Sequence, residues 1–285
     1  MMKRRSRLLG LITAAALLVT TLAGCGSAPA TAEEEPDATD EVQETETTHG
    51  NYTDEMKMEK EVDLDPEAGA DAYERQADHV DSPYYSQLDF YNMESTDSLT
   101  ILTNFQTYQQ TNEYSCGLVS ALMVLNWFGL KGDYTEESLC ELRGGTIDGT
   151  GTNLSQLIGV FEKIGGFELH STYDIPEVAR ANGDYYSYFN EQTVQDYLKA
   201  GIPVMICWND WGGHWQVIVG YDTMGTEDTA DDVLIVADPY DTTDHNQDGY
   251  GVYPAQRFFA NFSTYTFFQN GELNDYLFLA VEPAA

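Results

Sequence analysis

A thiol, an imidazole, a carboxylate and a carboxamide stand where together they could carry out acyl transfer. Cys116 opens an apolar stretch with helical periodicity, so it falls in a first helical turn, where free backbone N–H groups and the helix dipole favour a thiolate over a thiol. Such a thiolate is a candidate nucleophile. Six residues upstream, Gln110 offers an amide that could donate to an oxyanion beside the backbone N–H of Cys116. His214 follows Gly212 and Gly213 at the head of a strand-like run, and Asp238 ends another before Pro239. If those strands are neighbours, Asp238 can orient the His214 ring while the other ring nitrogen takes the thiol proton.

The elements that must position these groups are readable from apolar spacing and turn residues. Ser115 is expected to cap a helix whose Leu118, Val119, Leu122, Met123 and Leu125 form one apolar face and which Gly129 ends. Asn153 is expected to cap a second helix carrying Leu154, Leu157, Ile158 and Phe161, closed by Gly165 and Gly166. A third helix is expected over 191–200, followed by strands at 202–208, 214–221 and 233–237. Helix and strand signals alternate without regular strand-helix-strand spacing, which favours a mixed α+β domain over a parallel sheet.

The segment Gln110-Thr111-Asn112-Glu113-Tyr114-Ser115-Cys116-Gly117, then Gly213-His214-Trp215 running into Val217-Ile218-Val219-Gly220-Tyr221, then Ala237-Asp238-Pro239, resembles the papain-like cysteine peptidases of the bacteriocin leader-processing type. The resemblance covers roughly residues 103–261, and the loop Gly149-Thr150-Gly151-Thr152-Asn153-Leu154 is also similar to a family loop. It implies a papain-like α+β fold in which a helical half packs on an antiparallel sheet half. It also implies an oxyanion glutamine at Gln110, a nucleophile at Cys116, a general base at His214 and an orienting aspartate at Asp238; Gln109 beside Gln110 could play the same part, and the six-residue spacing favours Gln110. The family usually carries Asp before the nucleophile where this chain has Ser115, so a changed local charge is expected. Leader-processing relatives are fused to exporters and work on the cytoplasmic side, so a double-glycine leader is not the expected substrate here.

At the N-terminus, Lys3, Arg4, Arg5 and Arg7 precede an apolar stretch from Leu8 to Leu22, the pattern of an export signal over 1–24. Leu22-Ala23-Gly24-Cys25 resembles the lipobox of bacterial lipoproteins, which implies a lipidated Cys25 and anchoring to the outer face of the bacterial cell membrane. Losing the four leader charges would take the net charge from −35 to −39, so any anchoring must come from lipid and not from attraction to anionic headgroups. This acidity also argues against a nucleic-acid partner. It is concentrated upstream: residues 26–100 hold 22 acidic against 3 basic side chains, and residues 25–80 are expected to be a disordered tether. The peptidase domain is expected over 81–285, acting as a monomer on a peptide or protein substrate. Tyr84, Tyr85, Phe90 and Tyr91 suggest an arm packed on it. A hydrophobic fraction of 42% leaves enough apolar surface for that domain's core.

Gly117, Trp208, Trp211, Gly213 and Trp215 are expected around the cleft. Cys140 and Cys207 are expected as two buried thiols, with a disulfide as the alternative. No cofactor is required by this chemistry. Asp244, Asn246 and Asp248 have the alternation of a calcium loop, but position twelve is Ala255 and not Glu, so a polar turn is favoured and weak Ca²⁺ binding is the alternative. A non-catalytic peptide-binding module, or an amidase acting on cell-wall peptide, would use the same scaffold.

Overall fold

The structure is a computed structural model that describes residues 59–60, 88–145, 150–210, 212–241, 248–269 and 271–284. The export signal, Cys25 and nearly all of the 25–80 segment lie outside the described residues, as do Trp211, Asp244 and Asn246.

The architecture is a mixed one of helices on a seven-stranded antiparallel sheet. Its strands are β2 (Leu99–Ile101), β4 (Phe167–Ser171), β5 (Val204–Trp208), β6 (His214–Asp222), β7 (Val233–Ala237), β8 (Tyr250–Pro254) and β9 (Leu277–Pro283). They run in the order β4-β9-β5-β6-β7-β8, with β2 also pairing on β6. Two short strands, β1 (Glu59–Lys60) and β3 (Tyr108–Gln109), pair in parallel. Two residues of the segment expected to be a free tether are therefore paired.

All five residues of β5 are buried, as are the first eight of β6, so both faces of the sheet centre are covered. Helix α1 (Cys116–Trp127) packs on β6, and so does α5 (Glu191–Lys199). Every residue of α1 from Cys116 to Leu125 is buried, a difference from the single apolar face expected. The cause is that α1 also touches β3, α2 (Glu136–Arg143) and α3 (Leu154–Ile164), which leaves no side for solvent. Gly129, at φ +67°, supplies the left-handed turn that ends it. Asn153 caps α3 as expected, its Oδ1 accepting from the Gln156 N–H at 2.8 Å. Helix α4 (Glu177–Ala181) and helix α6 (Ala255–Ala260) complete the set described.

The strand of greatest architectural weight outside the expected trio is β9, which fills the gap between β4 and β5. Phe90 of the preceding arm is buried and lies 5.6 Å, centroid to centroid, from Tyr250 of β8, so the arm does pack on the domain. Cys140 and Cys207 are buried and form no disulfide.

Candidate active site

The nucleophile candidate is placed by the way α1 begins. The first intrahelical bonds run from the Leu118 and Val119 N–H groups to the Ser115 carbonyl, at 2.8 and 3.0 Å. The N–H groups of Cys116 and Gly117 precede that ladder and have no intrahelical acceptor. Ser115 stands at the cap position, yet its hydroxyl makes no cap bond and instead donates to the Asn112 carbonyl at 3.4 Å. A tight turn is responsible: Asn112 Oδ1 accepts from the Tyr114 N–H at 2.8 Å and draws the Asn112 carbonyl over the helix start. That turn is itself pinned from α2. The buried Glu136 carboxylate accepts from the Thr111 N–H (3.3 Å), the Thr111 hydroxyl (3.0 Å) and the Asn112 side-chain amide (3.2 Å).

Gln110 is buried, and its backbone N–H donates to the Pro239 carbonyl at 2.8 Å, which fixes it beside the turn following Asp238. Its Nε2 donates to the Asn112 carbonyl at 2.6 Å. A primary amide carries two N–H bonds, so this contact locks the group while leaving one donor for a ligand.

His214 is the first residue of β6 and Asp238 directly follows β7, so the antiparallel pairing of these strands brings the two together at one sheet edge. His214 Nε2 lies 2.6 Å from Asp238 Oδ1, and both residues are buried. The ring's Nδ1 is left on the side of the cavity that Cys116 also lines, and Cys116 is among the groups that act on the His214 charge. Asp238 Oδ1 also accepts from the Tyr240 N–H at 2.8 Å, and Oδ2 accepts from Gln216 Nε2 at 2.8 Å. Burial alone would pull the His214 pKa down, but the Asp238 charge and hydrogen bond outweigh it and hold the imidazolium well above its ordinary range. The reverse holds for Asp238, where burial would raise the pKa and the His214 charge, with three hydrogen bonds, lowers it. Both shifts favour the charged forms, imidazolium on His214 and carboxylate on Asp238.

A cavity of about 360 Å³ opens over this edge, lined by Gln110, Cys116, Gly151, Gly213, His214 and Phe267 among others. Gly213 is at φ +116°, and a Cβ there would come within 2.6 Å of the Phe267 ring, so glycine is needed for both conformation and space.

Of the expected cleft residues, Gly213 is in place, while Gly117, Trp208 and Trp215 are not in the wall. Trp215 is almost wholly buried and donates to the Thr152 carbonyl at 2.7 Å. Gly117 lies against that ring, where a Cβ would approach Trp215 and Thr152 to 3.1 Å. Trp208 is the ladder partner of His214, so it lies on the histidine's face of the sheet, and its Nε1 donates to Gln216 Oε1 at 2.8 Å. Trp215 stands behind the cleft, whereas Trp208 lines a neighbouring cavity and orients Gln216, which holds Asp238, which holds His214. Gln216 was not among the expected residues, though its polar side chain two positions after His214 on an apolar strand is a readable signal. Glu136, Tyr240 and Phe267 carry no comparable signal.

Asp248 is buried at the start of β8, where Oδ1 accepts from the Tyr250 N–H at 2.9 Å and its carbonyl accepts from the Thr107 hydroxyl at 2.7 Å. This is turn chemistry, and the other two residues of the calcium alternation lie outside the described residues. Among the described residues, Glu168, His170 and Glu282 bring their potential ligand atoms within 4.8 Å of one another on the β4–β9 ladder.

The Peptidase_C39-like family model matches residues 102–269, a span that takes in all four candidate groups. No curated protein matches the chain. A solved structure from Bacillus anthracis, described as a C39-like peptidase, is 15% identical, with a TM-score of 0.46, and the match covers 66% of this chain and all of that one. With the family model spanning more than half of its length, the chain belongs to the Peptidase_C39-like family.

Proposed function

We propose that this chain is an exported, lipid-anchored cysteine peptidase that hydrolyses peptide bonds with Cys116 as nucleophile, His214 as proton carrier, Asp238 as its partner and Gln110 as oxyanion donor. The observation that carries this reading is the buried His214–Asp238 pair, 2.6 Å apart, which leaves the other ring nitrogen unclaimed by Asp238 in a cavity that Cys116 and Gln110 also line. Once its proton resides on His214, the Cys116 sulfur attacks the scissile carbonyl and a C–S bond forms. The resulting oxyanion is met by the Cys116 N–H and the second Gln110 N–H. The C–N bond then breaks as His214 passes its proton to the leaving amine. Water attacks the thioester, giving its proton to His214, and the C–S bond breaks to release a carboxylate and restore the thiol. Cys25, acylated after removal of 1–24, would hold this domain at the outer face of the cell membrane.

The test pairs hydrolysis with alkylation. Peptide mixtures are incubated with the wild type and with Cys116→Ala and His214→Ala, and iodoacetamide labelling of Cys116 is followed at neutral pH. Cleavage by the wild type alone, with slower labelling in His214→Ala, is expected. Labelling at the same rate with and without His214 would overturn the reading. Labelling of cells with radioactive palmitate, lost in Cys25→Ser, tests the anchor.

A further inference from the structure

A second and larger cavity, about 420 Å³, lies beside the first but does not contain Cys116. The two cavities flank the same pieces of chain. Asp210 and Gly213 belong to one connection between β5 and β6, the first lining the larger cavity and the second the cleft. Tyr265 and Phe267 belong to one loop and are divided in the same way. Asp210 and Gly213 are three residues apart, so at most about 3.6 Å per residue of chain separates a wall of one cavity from a wall of the other, within the span of a short extended peptide.

The chemistry of that cavity is specific. Its walls are aromatic: Trp208 meets Tyr253 and Phe258 edge to face at centroid distances of 5.1 and 5.2 Å, and Tyr265 is exposed at the mouth. Its anion is Asp210, whose Oδ2 accepts from the Tyr253 hydroxyl at 2.8 Å and from Gln216 Nε2 at 3.2 Å. Among the described residues Oδ1 accepts no hydrogen bond, and no Lys or Arg pairs with this carboxylate. Burial raises its pKa against the Tyr253 hydrogen bond, the Asp238 charge adds to the rise, and the His214 charge and the Gln216 hydrogen bond oppose it. Arg257 also lines the cavity, but it is exposed on α6, where water and salt screen it. A half-buried anion ringed by aromatic faces suits an alkyl chain ending in a cation, which packs its stem on the rings and its charge on the carboxylate.

We propose that this cavity is a specificity subsite of the same substrate groove, taking a Lys side chain whose ammonium pairs with Asp210. The inference rests on the peptidase reading for its setting. Asp210 is then a substrate-binding residue one hydrogen bond removed, through Gln216, from Asp238.

The test uses the full chain and pairs of peptides identical except for Lys or norleucine, scanned through the positions on both sides of the cleaved bond. At one position the Lys peptide is expected to show a kcat/KM about tenfold higher, the scale of a charge-assisted hydrogen bond. In Asp210→Asn, whose side-chain oxygen still accepts from Tyr253 and Gln216, that ratio is expected to fall to near one. A merely structural role for Asp210 would lower both peptides alike and leave the ratio standing, and this result would overturn the proposal, as would equal rates in the wild type. The same pairs are titrated calorimetrically onto Cys116→Ala and Cys116→Ala with Asp210→Asn. If the wild type cleaves nothing, the peptidase reading fails, while tighter binding of the Lys peptide that depends on Asp210 still supports the subsite and equal binding still refutes it.

Discussion

Gln216 is the residue through which the interior of the sheet is expected to reach the reaction. It is wholly buried, its Nε2 donates to Asp238 Oδ2 at 2.8 Å, and its Oε1 accepts from Trp208 Nε1 at 2.8 Å. Gln216→Met keeps the length and nearly the volume, so little cavity is created, but the bonds to Asp238 and Trp208 go, and with them the longer one to Asp210. A hydrogen bond to a charged group is worth about 1.5 to 3 kcal/mol. If all of it serves to hold Asp238 against His214 in the transition state, kcat falls roughly 10- to 150-fold, at about 1.4 kcal/mol per tenfold. Gln216 does not line the cleft, so KM for a peptide without Lys is expected to stay close to its wild-type value. Separately, the orphaned Trp208 N–H is expected to cost about 1 to 3 kcal/mol of stability. The assay is steady-state hydrolysis of a peptide cleaved by the wild type, with urea unfolding followed in parallel and labelling of Cys116 as a substrate-free readout. Gln216→Glu, which sets a second carboxylate against Asp238, is expected to be worse on every measure. A folded Gln216→Met protein with kcat within about twofold of the wild type would refute the reasoning, because the bond would then be worth under about 0.5 kcal/mol to catalysis.

The His214–Asp238 pair also predicts how stability varies with pH. A raised His214 pKa gives stability that is complete below the unfolded value of about 6.5 and is lost as pH rises through the folded pKa, while a lowered Asp238 pKa gives stability present above about 3.9 and lost as pH falls through its folded pKa. The Tm difference between the wild type and His214→Gln should therefore be widest between about pH 4 and 6.5 and narrow as the solution is made alkaline, and a difference that stays unchanged from about pH 6 into the alkaline range would count against the charged pair. Gly213→Ala is expected to push Phe267 out of the cleft wall, because the added methyl would lie within 3.0 Å of three ring atoms at a φ unfavourable to alanine. Its kcat/KM should drop by more than its stability explains, and full activity in this variant would show that the ring yields without consequence.

Much of the frame was legible because it is punctuated. Asn153 and Gly165 bracket α3, and Gly129 ends α1, by backbone rules that act whatever the tertiary setting. The order Gln110, Cys116, His214, Asp238 was legible because reacting groups must be polar and these sit at the ends of apolar elements. What failed is instructive. In β5 and β6 almost every position is buried, so alternation carries no signal of which side chains reach the cleft, and the sequence does not tell the inward Trp215 from Trp208, which lines the neighbouring cavity. Ser115 does stand at the cap position, but a nearby carbonyl, set by the Asn112 turn, competes for its hydroxyl, and no cap bond forms. The place of β9 between β4 and β5 follows from pairings between strands far apart in sequence, such as Leu169 with Val281 and Val204 with Ala280, which no local pattern encodes.

That placement has a consequence for the order in which the molecule can be made. When synthesis has passed β8, β4 and β5 each still present an open edge to the slot that β9 will fill, and β5 is the strand on which β6 and its histidine are registered. The hairpin of β6 and β7 can pair early, but one flank of the sheet beneath the cleft stays unsealed until residues 277–283 arrive. Folding should thus be slow and end late, with exposed edges that invite mispairing in the interval. If Cys116 is the nucleophile proposed above, a chain cut short before β9 carries that thiol on a sheet whose β5 flank is still open.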